Sequence, residues 1–192
     1  MCQQQSFRKV FRLLFLRLIS KVLYPSDAIE AGKELRLKQQ YFFVSCAIQD
    51  IIRRFLEKSN DFYKMPDYIT IQLNDTHPAI AIAEMMRILI DVHGQEWVDA
   101  WDITTKCFAY TNHTLLPEAL ETWPARIIGK LLPRHLQIIY EINRRFMEFA
   151  RSKFGNDEEK LSKVSICLIF FFILFAFSNS SLSFANLSMS DP

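Results

Sequence analysis

The stretch "TIQLNDTHPAIAIAEMM", residues 70–86, sets a short apolar alternation against a polar turn and then against a helical pattern. Ile69 to Leu73 alternates with the two-residue period of a strand. Asn74-Asp75-Thr76-His77 interrupts it, Pro78 follows, and a helix is expected from Pro78 to about His93, with Gly94 as its stop. Ile82, Met85, Leu89 and Val92 make the expected inward face of that helix, and Glu84, Arg87 and Asp91 the outward face. A second stretch repeats the design. "CFAY" (107–110) reads as a short strand and runs into "TNHTLLPEALETWP" (111–124), again a polar turn with Asn and His and then a proline. Helices surround these strands. One starts near Glu34, after a loop marked by Pro25, Ser26 and Gly32, and carries Val44, Ile48, Ile51 and Phe55 at helical spacing. Another covers 95–106. A third runs from Arg134 to about Arg151, with Leu136, Ile139, Ile142, Phe146 and Phe149 inward and Glu141, Arg144, Arg145 and Glu148 outward. Few strands separated by helices imply an α/β layer with parallel strands. Two strands make no complete sheet, so the chain reads as a piece of a larger one.

The bulk numbers narrow the class. The chain has 192 residues, half of them apolar, with a formal net charge of +2. Such a chain buries a core and is not disordered, and it lacks the basic excess of a nucleic-acid binder. Cys2, Cys46, Cys107 and Cys167 are scattered without metal-ligand spacing, which implies a reduced, cytoplasmic compartment. Three regions differ in kind. Residues 1–18 are a basic amphipathic segment, residues 19–166 have ordinary globular composition, and residues 167–192 are an apolar, serine-rich tail. The apolar run Val164–Phe177 is short of the roughly 20 residues a spanning helix needs, so a membrane anchor is not expected.

The two polar turns carry the candidate chemistry. In parallel sheets, ligands bind outside the carboxyl ends of the strands, where helix starts offer free N–H groups and a positive dipole end. Asp75 alone is accounted for by an N-cap, and His77 or His113 alone by a hydrogen-bonded core histidine. Two turns of one design in one domain raise the case for a site. A carboxylate, an amide and an imidazole suit the recognition of neutral hydroxyls. Asp75, His77 and His113 could supply three metal ligands, but no cysteine joins them and no HExxH occurs. With four glycines in the chain, a glycine-rich phosphate loop is nearly excluded.

Five blocks resemble one family, in its order: "VLYPSDAIEAGKELRLKQQYF" (22–42), "QDIIRRF" (49–55), "IQLNDTHPAIAIAEMMRILID" (71–91), "AYTNHTLLPEALETWP" (109–124) and "LLPRHLQIIYEIN" (131–143). They are similar to glycogen (α-glucan) phosphorylase over residues 19–166. The resemblance implies part of one Rossmann-like domain of a two-domain, glycosyltransferase-B-type fold. It implies release of glucose 1-phosphate from α-1,4-glucan by phosphate, with pyridoxal 5′-phosphate as cofactor. It also implies roles. His113 would bond the sugar 6-hydroxyl and touch Asp75; Asp75, His77, Ala119 and Glu121 would line the pocket; Asp27 would sit on a gating loop. Arg53 and Arg54 would take the phosphate of an AMP-type effector. The family's cofactor lysine has no counterpart in this chain, so no complete catalytic set is expected and the chain alone is expected to be inactive. Ala28 and Ile29 replace an asparagine and a phenylalanine usual in the gating loop. The alternative is a non-catalytic subunit that pairs with a full-length phosphorylase. No nucleic-acid partner is expected.

Overall fold

The computed structural model describes residues 19–23, 25–26, 28–114, 121–155, 157–158 and 161. The expectations for the basic N-terminus, Asp27, Ala119 and the tail fall outside these residues.

Helix α1 (Glu30–Leu56) buries Leu37, Val44, Ile48, Ile52 and Phe55 along one stripe. It begins earlier than its apolar period suggests, and Gly32 lies inside it. A side chain at that position would collide with the Ser26 carbonyl oxygen, since an added Cβ would sit 1.8 Å from it. Gly32 therefore serves the close approach of the preceding loop, not a turn. A 3₁₀ turn (Phe62–Lys64), capped by the Asp61 side chain, leads into the one-turn helix α2 (Met65–Tyr68). Strand β1 (Ile71–Asn74) and strand β2 (Phe108–Thr111) pair in parallel, with Ile71 opposite Phe108 and Asn74 opposite Thr111. Among the described residues they form a two-stranded sheet.

Between the strands lie α3 (Ile80–Arg87), a π-helical turn (Ile88–Val92) and α4 (Trp97–Cys107). Gly94 at φ 67 stops the first run, as the pattern anticipates. The wider π turn moves the phase of the side chains, and Val92 is turned out to solvent instead of inward. Helices α5 (Ala125–Leu131) and α6 (Pro133–Phe154) follow β2. Ile138, Ile139 and Ile142 of α6 face the core, while Phe149 is largely exposed.

The core is one continuous cluster joining α1, β1, α3, α4, β2, α5 and α6. A polar knot lies inside it and overturns the outward placement of Glu84. That carboxylate is fully buried. It accepts from the Ser45 hydroxyl of α1 at 2.7 Å, from His135 Nε2 of α6 at 2.7 Å, and from Arg87 Nε and Nη2 at 2.8 and 3.0 Å. Burial by itself would raise the carboxyl, but the bonds from His135, Arg87 and Ser45 outweigh it and hold the group at about 2. In the π turn that follows, Asp91 accepts from Arg134 Nη2 and Nε at 2.7 and 2.8 Å. Two charged contacts thus tie α3 and its π turn to the start of α6. No described helix is long and apolar enough to cross a membrane.

Candidate functional site

The parallel register brings the two polar turns side by side. Because Asn74 stands opposite Thr111, the residues that follow each strand emerge at the same edge of the sheet. Backbone and side chain both knit them together. The Asp75 N–H donates to the Thr111 carbonyl at 2.9 Å. Asp75 Oδ1 accepts the His113 backbone N–H at 2.7 Å and the Thr114 hydroxyl at 3.4 Å. Asp75 is the single described non-glycine residue with positive φ, at 57°. Aspartate tolerates this left-handed conformation better than most residues. Asp75 is therefore not a helix cap, since α3 begins at Ile80 with no side-chain cap bond. It clasps one strand end to the other.

The expected contact between the Asp75 and His113 side chains takes a different form. Asp75 holds the backbone of His113, and the imidazole turns to Asn74, with Nε2 3.3 Å from Asn74 Oδ1. His113 itself is exposed at the edge. Burial, and then the charge of Asp75, push the nearby Tyr110 phenol above its ordinary value.

Glu121 forms the second half of the site. Its carboxylate is nearly buried and is gripped from α1: Gln40 Nε2 reaches both oxygens at 3.0 and 2.9 Å, and Arg36 Nε lies 2.8 Å from Oε1. His77 Nδ1 lies 3.7 Å from Oε2, and its side chain is half exposed. The structure thus brings Asp75 together with His113, and His77 together with Glu121. Arg53 and Arg54 lie apart, on the last turns of α1. Arg53 pairs with Asp50 at 2.8 Å and Glu57 at 2.6 Å, and Arg54 with Asp50 at 3.0 Å.

Sequence reasoning missed Arg36, Gln40 and Asn74. Arg36 and Gln40 are four residues apart and so share a helix face, a signal present in "RLKQQ" (36–40). Asn74 needed the register, which no local pattern carries. Among the described residues no group of His, Cys, Asp or Glu is arranged to hold a metal.

This constellation, two strand-end turns and a gripped glutamate, lies within a match to the carbohydrate phosphorylase family model over residues 3–169. The chain belongs to the carbohydrate phosphorylase family. Glycogen phosphorylase of Synechocystis is 54% identical over 148 residues, 77% of this chain and 17% of that relative. The Saccharomyces cerevisiae glycogen phosphorylase is 53% identical over 148 residues. The human muscle form is 53% identical over 156 residues, 18% of its length. The chain thus spans 16–18% of the length of these phosphorylases.

Proposed function

We propose that residues 19–166 supply a sugar-contacting edge of an α-glucan phosphorylase. The observation that carries this is the clasp of Asp75 on the His113 backbone, which sets an imidazole at the carboxyl end of two parallel strands. In this reading His113 bonds the 6-hydroxyl of a glucose unit. Asp75 keeps the 112–114 turn in place and has a second oxygen, Oδ2, for a hydroxyl or water. Glu121 and His77 border the same crevice, with Arg36 and Gln40 holding the Glu121 carboxylate in one rotamer. A carboxylate fixed by two donors and an imidazole fixed by its backbone lose little freedom when a neutral sugar arrives. The wider protein would be a two-domain, Rossmann-like enzyme of the cytoplasm that cleaves α-1,4-glucan with phosphate. Asp27 and Ala119 would complete the pocket's rim.

Pyridoxal 5′-phosphate would supply acid–base chemistry through its own phosphate. By the family resemblance its attachment lysine would come from elsewhere in the whole protein. Lys38, Lys64, Lys106 and Lys130 are each paired with a carboxylate, and Lys58 and Lys153 lie over aromatic rings. Arg53 and Arg54 would receive an effector phosphate by exchanging Asp50 and Glu57 for it, all three pairs being exposed and so weak. A dimer with another phosphorylase chain belongs to the same reading.

The test is sugar binding at His113. Glucose should shift the ring resonances of His113, and a 6-deoxy analogue should bind several-fold more weakly, about the loss of one net hydrogen bond. Equal binding of the two sugars, or none at His113, would remove the assignment.

A further inference from the structure

We propose that Asn74 is the positioning residue of His113: it holds the proton on Nε2 and so leaves Nδ1 bare, as an acceptor for a hydroxyl. The proposal rests on the sugar reading of this edge and adds a residue to it. Side chains two residues apart on a strand share a face. Gln72 and Asn74 lie on one face of β1, and Ala109 and Thr111 stand opposite them on β2. Gln72 Nε2 donates to the Thr111 hydroxyl at 2.9 Å across that face. His113 is a further two residues on, and its ring meets Asn74 instead. The ladder of polar contacts is thus continued by one rung past the end of the hydrogen-bonded strands.

The chemistry of that rung is one-sided. An amide oxygen can only accept, so the ring nitrogen facing it carries the hydrogen. In a neutral imidazole the other nitrogen is then a bare acceptor, and which nitrogen that is depends on the bond the first one makes. Asp75 fixes the backbone of the same residue at 2.7 Å. Position is therefore held at the main chain and the tautomer at the ring, by adjacent residues of one turn.

The experiment is magic-angle-spinning nitrogen-15 spectroscopy of the full 192-residue chain labelled at its four histidines, a method that requires no monomeric sample. His113→Gln identifies the His113 lines by their loss. In the wild type His113 should show a protonated Nε2 and a bare Nδ1 as two well-separated lines. Asn74→Asp keeps an acceptor and should keep that pattern. Asn74→Leu removes it, and the two lines should move toward each other as the tautomers exchange. His135, held by Glu84 at 2.7 Å, reports that the variant is folded. A proton on Nδ1 in the wild type, or His113 lines unmoved in Asn74→Leu while Asn74 is gone, would overturn the proposal. Adding glucose separates the two readings: a fixed Nε2–H tautomer that glucose does not perturb would sink the sugar assignment and leave the positioning role intact.

Discussion

Removing the Glu84 carboxylate should cost more stability than any other single polar change in the described residues. In Glu84→Ala three donors lose their acceptor together. Ser45 and His135 are buried, so neither regains full hydration. Arg87 is only about a quarter exposed. Breaking a buried charged pair by deleting one partner costs about 3–5 kcal/mol, against a total stability of about 5–15 kcal/mol for a domain. Glu84→Gln keeps the shape and one oxygen, so Ser45 can still donate; about half the cost is expected. Urea unfolding followed by far-ultraviolet circular dichroism, at concentrations low enough to suppress association, reads both.

Acid gives an independent check on the same contact. The folded carboxyl sits at about 2, below its ordinary 4.5. A depressed group contributes stability that is fully present above the ordinary value and is lost as pH falls toward the folded one. At 1.36 kcal/mol per unit the contribution is about 3 kcal/mol. The gap between wild type and Glu84→Gln should therefore be widest above about pH 5 and close between pH 4.5 and 2. A loss under about 1 kcal/mol in Glu84→Ala, or a gap that does not change with acid, would show that Glu84 is not the hub of this knot.

Other outcomes follow from the same geometry. At Asp75, with φ 57, Asn should be tolerated, Gly should lose the clasp alone, and Ala should lose the clasp and add about 1–2 kcal/mol of backbone strain; urea midpoints should fall in that order. Burial pushes the Cys107 thiol up to about 12, so iodoacetamide should label exposed Cys46 in the folded chain and Cys107 only after unfolding, as read by peptide mass spectrometry. The described strands pair with one neighbour each, and unpaired edges recruit other chains; light scattering of the chain expressed alone should show association, and a monomer that melts cooperatively would refute this. Because the family resemblance places the cofactor lysine elsewhere in the whole protein, the purified chain should release no glucose 1-phosphate above background.

The two strands and their turns were legible because their information is local. Alternation marks β1 within a residue or two of its ends, and the repeated Asn/His turn with its proline marks the edge where ligands meet a parallel sheet. What failed was whatever needed a partner far along the chain. Glu84 reads as solvent-facing because its helical phase is polar on that side. It is buried because Ser45 and His135, 39 residues before it and 51 after it, arrive on two other helices. Gly32 reads as a loop marker because glycine usually is one, yet its task is to admit the Ser26 carbonyl.

The same division explains what happened to the candidate site. Asp75 and His113 were each identifiable as polar residues at a strand end, and their contact was implied by the family resemblance. The atoms that meet were not. Register decides that, since a shift of one residue would place Asn74 and His113 on opposite faces of the sheet. In the observed register, Asn74 opposite Thr111 puts His113 an even step onward, so the amide reaches the ring. Asp75, the next residue, leaves the extended conformation at φ 57 and reaches the backbone. One turn therefore delivers two different restraints to one histidine, because the chain leaves the strand between Asn74 and Asp75.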